Sequence, residues 1–248
     1  MLQPSAPRPQ EQSGGSTPDG LPLPPLEAFS GSLSQRVYLS LKSAILSLTF
    51  QPGETLRKPA ICATLNVSRS PVSEAVARLA AEGLVDVVPQ AGTFVARFSM
   101  AEIREGAFLR EALELAAVER VASTITEAQL VELRRNLRVQ EALVADGDFA
   151  GFYQVDSAMH ALILSFTGLR RLSVLAETAW VHVNRARQLI LPQPGRVQAT
   201  LDEHRAIVAA LAAHDPVAAR AAARHHLGQL ITYLEPLASA RPDLFAPG

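Results

Sequence analysis

The chain has 248 residues, of which 48% are hydrophobic and 19% charged, with a formal net charge of −1 and a single cysteine, Cys62. That size accommodates one large or two small globular domains, and the lone cysteine excludes an internal disulfide framework and a thiolate metal cluster. No apolar run reaches the roughly 20 residues that a membrane-spanning helix needs, and the Pro/Ser/Gly-rich start carries neither the basic segment nor the apolar stretch of a secretory signal, so a cytoplasmic protein is expected.

Charge is unevenly placed. Residues 1–32 carry Arg8 against Glu11, Asp19 and Glu27, whereas residues 33–98 carry seven bases against four acids and the remainder is mildly acidic. A modestly basic module joined to an acidic one suits a nucleic-acid reader beside a sensor or dimerisation domain.

Residues 1–30 hold seven of the chain's 17 prolines together with many glycines and serines, and a disordered tail is expected there. From Leu33, the residues Val37, Leu41, Ala44, Ile45 and Leu48 fall on one face at helical spacing, and Pro52-Gly53 stops that helix. A short second helix starts near Pro59, a proline suited to a first turn, and runs through Ile61 and Leu65. Asn66-Val67 makes a tight turn; Ser68 or Ser70 caps a third helix whose Val72, Val76 and Leu79 share a face, and Gly83 ends it. Leu84 to Val88 and Thr93 to Phe98 read as two strands joined by Pro89-Gln90-Ala91-Gly92.

Three helices and a hairpin predict a winged helix-turn-helix over 31–98. Beyond Met100 the pattern is helical throughout, with helices predicted near 101–123, 126–145, 148–167, 169–191, 198–213 and 215–238. The predicted fold class is therefore mainly α: a winged helix-turn-helix, an all-helical bundle over 99–240 and a short tail, 241–248.

A helix-turn-helix reads DNA by laying its second helix in the major groove, N-terminal side chains against base edges. Arg69 stands at that N-terminus, where a guanidinium can bridge O6 and N7 of guanine, while Ser68, Ser70 and the free helix N–H groups can hold phosphate oxygens. Gly92 lets the wing backbone approach a phosphate or the minor groove closely. The rival reading is a capped helix with one arginine in a winged helix that contacts another protein.

The segments PGETL (Pro52 to Leu56), NVSRSPVSEAVARLAAEGLV (Asn66 to Val85) and PQAGTFV (Pro89 to Val95) resemble the signature of GntR-type transcription regulators. The resemblance implies that Ser68, Arg69 and Gly92 touch operator DNA. Two positions depart from the family pattern: Ser73 stands where an arginine is common, and Pro59 where the second helix usually has a polar residue. Loss of an arginine at 73 removes a phosphate or base contact, and Arg57 and Lys58 are the candidates to substitute for it.

Three of the six histidines, His160, His204 and His226, occupy positions where apolar residues are expected. Asp156 and His160 lie four apart on the face continued by Ile163 and Leu164; His204 precedes Ile207, Val208 and Leu211 on theirs; His226 shares a stripe with Ala222 and Leu230. Buried imidazoles and carboxylates are costly unless paired or metal-bound. Three neutral imidazoles and one carboxylate suit a divalent ion, Zn²⁺, Ni²⁺, Mn²⁺ or Fe²⁺, with positions left open on an octahedral ion. Alternatively, each histidine caps a helix or hydrogen-bonds in the core on its own.

The segments DSAMH (Asp156 to His160), EHRAI (Glu203 to Ile207) and ARHHL (Ala223 to Leu227) resemble the three metal-binding segments of the FCD effector domain in the FadR branch of the GntR family. This resemblance implies Asp156, His160, His204 and His226 as ligands, with His226 preferred to His225 because it directly precedes a leucine. It also implies a small carboxylate effector that meets the ion and arginines, Arg110 first and Arg185 second, and it makes repression relieved by effector the commoner mode. A homodimer is expected because palindromic operators need two matched reading heads. Two rivals stand beside this reading: a metal-dependent hydrolase, for which the sequence offers no HExxH-like base, and a regulator whose metal is purely structural.

Overall fold

The computed structural model describes residues 21–247. Three helices, α1 (Leu33–Leu46), α2 (Lys58–Leu65) and α3 (Arg69–Ala81), precede two strands, β1 (Val85–Val88) and β2 (Gly92–Val95). The strands pair antiparallel with Val85 opposite Val95 and Val88 opposite Gly92. Their shared core is made by Val37, Leu41 and Ile45 of α1, Ile61 of α2, and Val72, Val76 and Leu79 of α3, the apolar stripes expected from helical spacing. The segment 53–56 lies along the other edge of β2, where Gly53 N–H donates to Val95 O, Val95 N–H to Glu54 O and Leu56 N–H to Thr93 O.

Several local differences from the sequence reading have a visible cause. Helix α1 stops at Leu46, before Pro52-Gly53, because Leu48 turns into the left-handed region at φ 58° and Phe50 swings back into the core, its N–H on Ala44 O. Ser68 is the N-cap residue of α3, yet its side chain makes no capping hydrogen bond. The second strand ends at Val95, and the following residues form the connection to the next domain. Of the tail expected over 1–30, residues 1–20 lie outside the described residues. Part of 21–29 is packed: Leu26 is buried, Leu21 and Leu23 rest on the winged-helix core, and Ser40 Oγ donates to Pro24 O, whereas Pro22, Pro25, Glu27 and Ala28 are exposed.

The second part is all helical: α4 (Met100–Ala122), α5 (Glu127–Asp146), α6 (Phe149–Phe166), α7 (Arg170–Ala179), α8 (Val181–Ile190), α9 (Arg196–Ala212) and α10 (Pro216–Ala240). Helices α4, α5, α6 and α10 begin at Ser99, Thr126, Asp148 and Asp215, whose side chains accept a backbone N–H three residues on, each cap contributing about 1 kcal/mol. One apolar cluster joins α4, α5, α6, α9 and α10 through residues such as Leu133, Phe152, Ile163 and Leu211; a second joins α4, α7, α8 and α10 through Ile103, Trp180, Val183 and Leu234.

The single helix expected over 169–191 is divided at Trp180, whose φ of −104° and ψ of 9° leave the helical region with no glycine or proline to announce it. The expected C-terminal tail is docked as far as it is described: Pro242–Leu244 forms a 3₁₀ turn, and Leu244 and Phe245 are buried in the second apolar cluster.

Candidate metal centre and nucleic-acid interface

Helix α6 presents Asp156 and His160, α9 presents His204 and α10 presents His226, and all four side chains are buried. One ligand atom from each lies within 4.8 Å of every other. The Nε2 atoms of His160 and His226 are 3.2 Å apart, and His204 Nε2 is 3.4 Å from Asp156 Oδ1. His225, the neighbour of His226, is exposed, so the choice between them falls to the inward face of α10.

Each imidazole is gripped from behind. His160 Nδ1 donates to Glu114 Oε2 at 2.6 Å, His204 Nδ1 to Gln140 Oε1 at 2.7 Å and His226 Nδ1 to Glu203 Oε2 at 2.8 Å. With their protons on Nδ1, all three rings turn an Nε2 lone pair toward the same point. Burial, reinforced by the neighbouring imidazoles, pushes the pKa of His204 and of His226 well below the usual histidine range, so both are neutral. Burial opposes ionisation of Glu114, but Arg110 and His160 outweigh it and hold the carboxyl well below the ordinary range.

Converging lone pairs and a carboxylate repel one another unless a cation lies between them. His204 Nε2 and both oxygens of Asp156 are buried without a hydrogen-bond partner, although the Arg187 guanidinium abuts Asp156 Oδ2. A donor set of three oriented imidazoles and one carboxylate, with unsatisfied atoms facing inward, fits a divalent transition metal ion.

Around the cluster the charges are paired. Arg110 Nε donates to Glu114 Oε1 at 2.6 Å, and Arg196 holds Glu203 with two bonds of 2.7 and 2.6 Å. A cavity of about 20 Å³, room for about one water, opens beside His226 and is lined by Arg110, Arg187 and Arg196 with Thr200.

Arg185, expected beside Arg110 at an effector, is directed to the connection between the domains, where Nη1 donates to Ala96 O at 2.7 Å, and the arginines that line the cavity with Arg110 are Arg187 and Arg196. Sequence reasoning missed Glu114, Gln140, Glu203, Arg187 and Arg196. Two of them had a signal: Glu114 follows Arg110 by four on the buried stripe of Ile103, Gly106 and Ala117, and Gln140 continues the stripe of Leu130, Leu133 and Leu137.

In the winged helix, Arg57, Ser68, Arg69, Ser70, Ser73 and Gly92 are all exposed and Lys58 is half-buried. Among the described residues, Arg57, Lys58 and Arg69 take part in no ion pair, whereas Arg78 of α3 is committed to Gln35 and to the face of Tyr38. Gly92 has φ 132°, which disfavours any other residue there, and Gln90 has φ 62°, so the wing tip turns tightly with its backbone uncovered.

A winged helix-turn-helix followed by a helical bundle enclosing three histidines and an aspartate defines a two-domain DNA-binding regulator. Residues 33–95 match the bacterial regulatory proteins of the gntR family and residues 105–229 match the FCD domain. The chain belongs to the GntR family and is a DNA-binding transcription regulator with an FCD effector domain.

It is 34% identical over 210 residues to a Streptomyces ambofaciens HTH-type transcriptional regulator in an unstable DNA locus, covering 85% of this chain and 88% of that one. It is 30% identical over 214 residues to the Escherichia coli K12 transcriptional repressor RspR, covering 86% and 94%. A putative GntR regulator from Rhodococcus sp. RHA1 has the same fold with a TM-score of 0.69 and 27% identity, covering 80% of this chain and 97% of that one. The E. coli McbR structure superposes with a TM-score of 0.72 at 23% identity, over 84% and 99%. The family consists of transcription regulators, not enzymes, which removes the metallohydrolase alternative. No helix among the described residues is long and apolar enough to cross a membrane.

Proposed function

We propose that this protein is a FadR-subfamily repressor, dimeric on its operator, whose affinity for DNA is set by a small carboxylate bound at a divalent metal centre made by Asp156, His160, His204 and His226. The reading head is 31–98 and the sensor is 99–240. The observation that carries the metal is the set of three imidazoles each held through Nδ1, with Nε2 turned inward. When bound, the ion would supply a Lewis-acidic charge at the floor of the cavity.

The class of effector follows from charge. Around the centre, Arg110, Arg187 and Arg196 balance Glu114, Asp156 and Glu203, so a divalent ion leaves the buried site with two uncompensated positive charges. A compact carboxylate neutralises them and suits a guanidinium fork. The cavity of about 20 Å³ admits such a molecule only if the side chains around it part, which makes binding and conformational change one event.

On the DNA side, exposed Arg69 reads a base at the N-terminus of α3, Ser68, Ser70 and Gly92 lie against phosphate or groove edge, and Arg57 and Lys58 supply charge that Ser73 does not. Repression is favoured by the likeness to RspR, a repressor.

A thermal-shift screen of small carboxylic acids, run on metal-loaded and on chelator-treated protein, tests the reading. One acid class should raise the melting temperature of the loaded protein alone, because a ligand that binds only the folded state stabilises it. Equal shifts with and without metal would place the acid elsewhere.

A further inference from the structure

The connection between the two domains, residues 96–98, is held from two sides. From one side the C-terminal strap pairs with it as a short parallel strand: Phe98 N–H donates to Leu244 O at 3.0 Å, Ala246 N–H to Phe98 O at 2.8 Å, and Arg97 Nε to Asp243 O at 3.1 Å. From the other side comes Arg185 of α8, which donates to Ala96 O and lies 4.5 Å over the Phe98 ring.

Arg185 is an expensive residue in this place. It is 1% exposed and has no carboxylate in contact among the described residues, and its Nε and Nη2 are buried without partners. Burying a guanidinium on one hydrogen bond and one aromatic face leaves much of its desolvation uncompensated. Arginine in a merely structural position is usually satisfied; here two donors remain free to take up a different carbonyl if the connection shifts.

Helix α8 also reaches three other places. Arg187, two residues on, abuts the metal-ligand candidate Asp156. At the opposite end, Val181 is buried in the winged-helix core, and the His182 ring lies 3.1 Å from Glu82 O, the residue that ends the recognition helix α3. The ring sits so near Gly83 that a Cβ there would come within 3.2 Å of it. A ten-residue helix thus spans from the metal centre to the end of the recognition helix, with Arg185 between.

We infer that Arg185 is a positioning residue that passes the state of the metal centre, through α8, to the interdomain connection. The inference rests on the metal-sensing reading above. Engagement of Asp156 by an ion changes what Arg187 faces, α8 moves with it as a rigid element, and Arg185 carries the movement to Ala96 and Phe98, whose position sets how the reading head sits on the helical domain. The contacts from Asp156 through Arg187, α8 and Arg185 to Ala96 and Phe98 are continuous, and they are the route along which such a coupling travels.

The test uses the full chain. Zn²⁺ uptake by metal-stripped protein is measured first, and amide hydrogen exchange across 94–99 is then compared with and without Zn²⁺ for the wild type and for Arg185→Met, which keeps an unbranched apolar stem but none of the donors. Zn²⁺ should change exchange at the connection about fivefold or more in the wild type, the lower edge of typical coupling between sites, while Arg185→Met binds one Zn²⁺ per chain with that change abolished.

An equal change in Arg185→Met overturns the relay and leaves metal sensing intact. Zn²⁺ binding without any change at 94–99 in the wild type also overturns it. Failure of the wild type to take up Zn²⁺, Ni²⁺ or Mn²⁺ overturns the metal reading itself, and the relay with it. Should circular dichroism show Arg185→Met unfolded, Arg185→Lys, which keeps the charge with a single-point donor, decides the question by a reduced response.

Discussion

The proposed DNA-reading surface and the proposed metal centre use charged residues in opposite ways. Among the described residues, Arg57 and Arg69 stand exposed and Lys58 half-exposed on the winged helix without a carboxylate partner, whereas Arg110, Arg187 and Arg196 are buried, each against one of Glu114, Asp156 and Glu203. An exposed unpaired guanidinium costs little to keep and is available to a phosphate or a guanine edge. A buried one is costly unless matched, so every charge near the centre had to be answered by another, and a cation there changes the balance of all of them. As proposed sites, the first surface works by being free and the second by being almost balanced.

The largest effects should come from breaking the buried balance. His204→Ala removes a ligand and the partner of Gln140, and metal affinity should fall beyond the roughly 10–100-fold typical of losing an outer-shell contact, as read by competition with a chelator of known affinity. On the free surface, Arg69→Ala should weaken specific operator binding about 5–150-fold in fluorescence anisotropy, matching a lost bidentate base contact of about 1–3 kcal/mol. Its metal content should be unchanged, and unchanged operator binding would remove Arg69 from the reading surface.

Glu203→Gln and Gln140→Leu sharpen the contrast, since neither touches the ion. Each should lower metal affinity about 10–100-fold by loosening the ring that it orients.

Acid should act on the buried histidines of the candidate metal centre. His204 and His226 are neutral when folded because burial depresses their pKa, whereas in the unfolded chain they titrate near the ordinary value of about 6.5. Below that pH the unfolded state binds protons that the folded state refuses. Stability of the metal-stripped protein should therefore fall as pH drops below about 6.5, by up to about 1.4 kcal/mol per pH unit per histidine, and be flat with respect to these groups above it. Melting curves from pH 8 to pH 5 measure this.

The smallest effect is expected from Arg57→Ala, a proposed contact to phosphate. It should weaken binding a few-fold for all sequences alike and reduce the slope of log affinity against log salt by about 0.9.

The same contrast explains what the sequence disclosed. Val37, Leu41 and Ile45 in one stripe, Gly92 in a hairpin and Arg69 at a helix start are local patterns, and the winged helix was legible from them. The four candidate ligands were legible because a histidine or aspartate in an apolar stripe is locally anomalous, and the family resemblance joined the stripes. The pairings around them were not: Glu203 with His226 and Gln140 with His204 are set by how α5, α9 and α10 lean together, which spacing within one helix does not encode. Arg185 and Arg187 sit two apart on α8, so their side chains leave the helix about 200° apart, one to Ala96 and the other to Asp156; which partner each meets depends on how α8 is placed after the break at Trp180, which no glycine or proline signals.

The central claim is that Asp156, His160, His204 and His226 form one metal site in each chain. Metal-stripped protein titrated with Zn²⁺, Ni²⁺, Mn²⁺ and Fe²⁺ in turn, with stoichiometry read by elemental analysis after desalting, tests it most directly. The account predicts one tightly held ion per chain for at least one of these metals, lost in His160→Ala and in His204→Ala. Retention of full metal content by both variants, or no retained ion in the wild type, would contradict it.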